Sequence, residues 1–305
     1  MGPQRLQPTL AGALHSLGLA PSDSVATVTA GWQEREDDDR ELKEHLADRA
    51  VNLTLYRRTE RVFERDPELA RAFRERQDGL RQLQALYKLR LTHGMNACRE
   101  LLRKEGDDET LREERRAAID AVRDLDARHL RQVRERHAEF ETRFRPDERD
   151  ALARERAEVA QLVDGTGAIA VAGGHVAILL NRLRLFTIDR LVAQRPVVAW
   201  SAGAMALAER VVLFHDDPPH GAGHPEVFEH GINIAPGMVP LPHARRRLRL
   251  DDALRVLNMA RRFEPAHCVP MDEGARVDWD GKHWTLPPGT RRLGFEGNIE
   301  TWADA

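Results

Sequence analysis

Ser201 stands in Ala199-Trp200-Ser201-Ala202-Gly203, where an apolar run from Pro196 to Trp200 gives way to a helix of small residues. A serine becomes a nucleophile when its hydroxyl is lifted clear of the backbone and a base stands ready. A sharp strand-to-helix turn does the lifting, and small neighbours let the helix pack close to the sheet. The N–H of Ala202, at the start of that helix, is then placed to stabilise a developing oxyanion. A serine among small residues also serves as an ordinary cap or turn residue. The surrounding residues decide between the two roles.

Gly173-Gly174 follows directly on the apolar run Ala168 to Ala172, one strand-helix unit before Ser201. Glycines at a strand end let the backbone approach a ligand and offer a second oxyanion donor. His175 comes next, where it can line a pocket or act as a plain loop residue. A base for the serine is expected at His243, in a loop before a helix, where sheet proteins place catalytic groups. The acid that orients the imidazole is sought at Asp272-Glu273, at the end of the apolar stretch His267 to Met271. A second cluster, His215, Asp216, Asp217, His220, His224 and His230, has no tight ligand spacing and reads as a loop, so no metal is expected. Trp32 to Glu36 follows the first strand at the same sheet edge and reads as a pocket wall or a charged helix start.

Taken in order, these segments resemble the cyanophycinase and dipeptidase E family of serine peptidases. The resemblance rests on Trp200-Ser201-Ala202-Gly203-Ala204, the Gly-Gly after a strand, and Gly231-Ile232-Asn233-Ile234-Ala235-Pro236-Gly237 leading to a His with spaced arginines. Met271-Asp272-Glu273-Gly274 and Thr29-Ala30-Gly31 complete it. It covers about residues 22–56 and 160–295. It implies an α/β fold, a three-layer parallel sheet of the class I glutamine amidotransferase-like type. It also implies a cofactor-free serine triad that hydrolyses short or unusual peptides, often with an acidic residue before the cut. Ser201 is then the nucleophile, His243 the base and Glu273 its orienting acid, with Gly174 and Ala202 as oxyanion donors. Gly173, His175 and Trp200 fall beside the substrate, and Arg247 and Arg249 match the arginines that would meet a substrate carboxylate. The chain departs from the family pattern at Ala199, usually Gly, and at Leu241, usually acidic. A glutamine amidotransferase proper uses a cysteine at the elbow, and neither Cys98 nor Cys268 is there.

These groups must be held by a frame. Ser24 to Ala30 is β-branched and apolar, Arg40 to Ala50 is helical in character, and Val51 to Tyr56 alternates like a second strand. Strand, helix, strand opens a parallel sheet. From about Arg57 to Gln161 the chain is dense in Arg and Glu with little β-propensity. Leu69, Phe73, Leu80, Leu83 and Leu86 form one helical stripe, and Ala118, Val122, Leu125, Val133, Phe140 and Phe144 form another beyond Gly106-Asp107-Asp108. The expected organisation is a first part of the α/β domain (1–56), a long α-helical hairpin insertion (57–161) and the remainder with the elbow (162–305). In that remainder, strands are expected at Val211 to His215 and Ile232 to Pro236, and a helix from about Leu250 to Phe263.

The 305 residues are 41% hydrophobic and 32% charged, which suits a globular fold carrying a charged helical segment. A net charge of -3 supplies no basic field for nucleic acid. Two widely spaced cysteines indicate a reducing compartment, and no apolar run suits a bilayer, so a cytoplasmic protein without membrane contact is expected. The expected partner is a small peptide or peptide-like substrate. The charged faces of the hairpin are read as solvated, or as a surface for a homodimer or a protein partner. A contrasting expectation is an inactive scaffold that kept the fold and acts through its insertion.

Overall fold

The computed structural model describes residues 1–192, 195–216 and 223–302. In chain order the elements begin with α1 (Leu10–Ser16), β1 (Val25–Val28), α2 (Arg40–His45), β2 (Ala50–Asn52) and α3 (Leu55–Arg65). The helical region continues with α4 (Pro67–Arg103), α5 (Glu109–Phe144) and α6 (Asp150–Asp164). Next come β3 (Ala168–Val171), α7 (Val176–Leu185), α8 (Ile188–Val192), β4 (Val197–Ala199) and α9 (Ala202–Leu207). They are followed by β5 (Arg210–Leu213), β6 (Glu226–His230), β7 (Met238–Pro242), α10 (Ala244–Arg247), α11 (Ala253–Phe263) and β8 (His267–Met271). Two small hairpins close the chain: β9 (Asp278–Trp279) with β10 (Trp284–Thr285), and β11 (Arg291–Leu293) with β12 (Ile299–Thr301).

The centre is a parallel four-stranded sheet in the order β2-β1-β3-β4. Its inner strands are short apolar runs buried on both faces, as parallel strands between helices must be. Alternate residues divide between the faces. Val25, Ala168, Ala170, Val198 and Trp200 pack with Leu10 and Leu14 of α1 and Leu42 of α2. Ala26, Val28, Ile169, Val171 and Ala199 pack with the apolar faces of α3, α6 and α7. Val28 is opposite Val171, and Val171 is opposite Ala199. Three chain segments therefore leave the sheet together at its carboxyl edge, where α/β proteins bind ligands.

Some elements differ from the sequence expectation. The strand expected over Val51 to Tyr56 stops at Asn52, and Leu55 already belongs to α3. The buried Glu36 carboxylate accepts the N–H groups of Tyr56 (3.0 Å) and Arg57 (2.9 Å), capping the helix start. The expected insertion 57–161 divides in two. α3 and α6 cover one sheet face, while α4 and α5 form the hairpin itself. α4 is 37 residues long, and at 1.5 Å per residue such a helix spans about 55 Å. Asp66 and Asp108 each accept the N–H three residues on (both 2.9 Å), capping α4 and α5. The α4 seam follows Leu69 and Phe73 but then moves to Tyr87, Leu91, Met95 and Cys98, leaving Leu86 exposed.

β6 and β7 were hidden by composition. β7 runs through Pro240 and Pro242 yet pairs in parallel with β8. His243 donates its N–H to Met271 O (3.2 Å). With period-two alternation, Val239 and Leu241 also turn toward β8, so both prolines lack their N–H on the edge away from it. Ile232 to Pro236, expected as a strand, is a loop held by backbone bonds to Ala206, Leu207 and Ala208.

A buried polar network fixes the hairpin to the α/β part. Arg262 of α11 grips Asp126 of α5 with two bonds of 2.7 Å and donates to the Tyr87 hydroxyl at 2.8 Å. Tyr87 of α4 donates to Asp126 (2.7 Å) and accepts the Val227 N–H of β6 (3.0 Å). His129 stacks on Tyr87 with ring centroids 4.3 Å apart. Removing one partner of such a pair strands a buried charge. Arg262→Met should therefore lower stability by about 3–5 kcal/mol in chemical denaturation, with a large part recovered when Asp126→Leu is added.

Candidate functional site

β4 ends at Ala199, and two residues later the chain enters α9 with Ser201 at φ 51°, ψ −123°. Side chains rarely adopt that backbone conformation, and it turns the serine away from the path of both strand and helix. The turn closes because glycines line it. A Cβ on Gly203 would lie 2.3 Å from Val171 O. A Cβ on Gly173 would lie 2.8 Å from the Ser201 Cβ and 3.4 Å from the Ala202 nitrogen, so the Gly-Gly backbone rests against the serine. A Cβ on Gly31 would lie 2.4 Å from Gly173 O, which brings the end of the first strand into the same contact.

Gly174 has φ +111° and is exposed. Among the described residues, neither the Gly174 N–H nor the Ala202 N–H donates to another group. His175 donates its N–H to Gly31 O (2.7 Å), and its Nδ1 accepts the Ile178 N–H (3.3 Å) as the cap of α7. Trp200 is buried with Met1, Leu10 and Leu14 on the α1 face of the sheet, so its ring is a core group.

His243 follows β7 directly, with φ 57°, ψ 37°, and is half-buried. Burial holds its imidazole below the usual histidine range, and the Arg247 guanidinium pushes the same way, whereas Glu273 opposes both. Arg246 adds to the lowering and Asp272 to the opposition. The neutral, proton-accepting form is thus favoured at neutral pH. Glu273 is exposed, while Asp272 accepts the Arg245 N–H (3.1 Å). Among the described residues, the side chains of Ser201, His243 and Glu273 make no hydrogen bond to one another. Burial lowers the Arg247 pKa, and Arg246 beside it adds to the effect. Arg249 is exposed.

In the loose His/Asp cluster, Asp217 and His220 lie outside the described residues. Asp216 is committed elsewhere: its carboxylate pairs with Arg255 and accepts the Arg249 N–H (2.9 Å). It also donates its own N–H to Arg247 O (2.8 Å), so it anchors the loop that carries both arginines. Among the described residues, no group of three or more His, Cys, Asp or Glu side chains converges on a metal-sized site, and no helix is long and apolar enough to cross a membrane.

No protein-family model matches the chain. No curated protein matches it either.

Two contributors had no sequence signal. The Met1 amino group donates to Ala199 O (2.7 Å), and Met1 O accepts the Ser201 N–H (3.2 Å), so Met1 lies along β4 and braces the elbow. Gln33, at φ 60°, ψ −127°, shares the unusual backbone of Ser201 and lies two residues beyond Gly31. Strain of this kind gathers where structure over-determines a site.

The tight packing makes a stability contrast. Gly203→Ala should cost at least about 1–3 kcal/mol in thermal or chemical denaturation, because the new Cβ meets backbone oxygen. Gly12 of α1 has open space around it, so Gly12→Ala should stabilise by about 0.5–1 kcal/mol.

Proposed function

We propose that this chain is a serine hydrolase that cleaves an amide bond of a short or unusual peptide through Ser201, His243 and Glu273. In this reading it has the class I glutamine amidotransferase-like fold of the cyanophycinase and dipeptidase E family. The observation that carries the proposal is the elbow: Ser201 at φ 51°, ψ −123° between β4 and α9, packed against the Gly173 backbone, with the Gly174 and Ala202 N–H groups unengaged among the described residues. The Ser201 Oγ attacks the scissile carbonyl carbon and its proton passes to His243. The carbonyl oxygen, now carrying the charge, is held by the two N–H donors. His243 returns the proton to the leaving amine, which departs as an acyl ester forms on Ser201. Water then attacks that ester with His243 as base, releasing the carboxylic acid and restoring the serine. Glu273 orients the imidazolium and offsets its charge. Arg247 and Arg249 would receive a substrate carboxylate, and the scheme uses no cofactor.

A second reading is an inactive scaffold acting through its helical hairpin. It is favoured by the absence of hydrogen bonds among the three side chains. Labelling by a fluorophosphonate separates the two. The hydrolase reading expects covalent labelling that Ser201→Ala abolishes, and a folded wild type that stays unlabelled contradicts it. His243→Gln should slow labelling by about 10²–10⁴-fold, the usual contribution of general base catalysis.

The pH dependence follows from the lowered His243 pKa. Labelling needs the neutral imidazole, so its rate should be level above the ordinary histidine value and fall with acid only below it. Arg247→Ala removes one cause of that lowering, so the acid limb should move to higher pH in a labelling-rate profile.

A further inference from the structure

A cavity of about 500 Å³ opens where the helical hairpin meets the α/β part. Phe73 and Arg76 of α4 and His137 and Phe140 of α5 form one wall, and Asn181 and Arg184 of α7 face them. Glu209 and Gly231 close its lower end. Those two residues and Leu185 lie at or beyond the ends of α9 and α7 that are remote from Ala202 and His175. α9 has six residues, so about 9 Å of helix lies between the elbow and Glu209, and Asn181 lies about 8 Å along α7 from Val176. It is a second site.

Its charge is unbalanced in a specific way. Arg76 is 9% exposed, and its guanidinium carbon sits 4.3 and 4.2 Å from the ring centroids of Phe73 and Phe140. Its Nε has no hydrogen-bond partner, and no carboxylate lies within ion-pair distance among the described residues. The neighbouring arginines stand near carboxylates. Arg184 pairs with Glu229, and Arg182 stands 3.8 Å from Glu60. Arg156, also on the cavity wall, pairs with Asp147. Glu141, next to Phe140 on α5, also lines the cavity without a hydrogen bond to Arg76; partial burial raises its pKa, and the charge on Arg76 opposes that rise. A buried cation with no paired anion is costly. Two aromatic faces hold the guanidinium rigid, with an unused donor edge.

We propose that this cavity binds a small organic anion, with a carboxylate or phosphate head on Arg76 and an apolar body against Phe73, Phe140 and Leu185. Guanidinium groups suit such oxyanions because their donors form a planar fork. The occupant would bridge the hairpin and the α/β part, so it would bind the docked state and stabilise it. None of this depends on whether Ser201 is catalytic.

The test uses the full chain with benzoate, phenyl phosphate and uncharged benzamide, followed by calorimetry and thermal denaturation. Saturable binding is expected for at least one of the two anions, with a melting temperature that rises with its concentration. Benzamide should bind weaker by about tenfold or more. Arg76→Met should remove anion binding while leaving the unliganded protein at least as stable, because an unpaired buried charge is lost. Glu141→Gln should tighten binding by removing a competing carboxylate, and it decides the question if Arg76→Met fails to fold. The proposal is overturned if neither anion binds saturably, if Arg76→Met binds as well as wild type, or if Glu141→Gln weakens binding. The last result would show that binding does not draw on a free positive charge at Arg76.

Discussion

The closeness of three backbone segments at the carboxyl edge of the sheet is the constraint on which the site depends. Gly31, Gly173 and Gly203 each occupy a position where a Cβ would fall within 3 Å of a neighbouring atom. Only with those side chains absent can the first strand, the Gly-Gly turn and the elbow touch. Their contact accompanies a positive φ at Ser201 and brings the Gly173 backbone against Ser201 and the Ala202 nitrogen. The same contact is bridged from below by Met1, which hydrogen-bonds on both sides of Trp200.

The hairpin depends on a different interaction. Helices as long as α4 and α5 with narrow apolar seams gain little from sequence propensity alone. The network of Arg262, Asp126 and Tyr87 joins α11, α5, α4 and β6 in one set of satisfied donors and acceptors. A buried ion pair is a poor source of net stability but a strong selector of one arrangement, since any other docking leaves charges unpaired. That selection also shapes the cavity beneath Arg76, whose walls come from both parts.

Much of this was legible in the residues, for physical reasons. The inner strands are continuous apolar runs, and the elbow has the small-residue context that a tight turn requires, so Val25 to Val28, Ala168 to Val171 and the turn at Ser201 could be placed in advance. The break at Gly106-Asp107-Asp108 marked the turn between the two hairpin helices. Less could be read where tertiary contact overrides local pattern. Leu55 and Tyr56 alternate like a strand, but a carboxylate twenty residues away caps them into a helix. Pro240 and Pro242 speak against a strand unless their spacing puts both on the unpaired edge. Asp216 reads as part of a loose loop cluster, and its pairing with Arg255, a residue 39 positions on, has no local signal. Trp200, expected beside the substrate, is drawn into the core by the alternation of β4.

The most direct measurement is a crystal structure of the protein after reaction with an organophosphonate. The account predicts phosphorus bonded to Ser201 Oγ and one phosphonate oxygen within about 3.1 Å of both the Gly174 and Ala202 nitrogens. His243 should stand within hydrogen-bond reach of Oγ, with Glu273 against its far nitrogen. Phosphorus on another residue, or an oxygen turned away from those amides with His243 remote from the adduct, would contradict it.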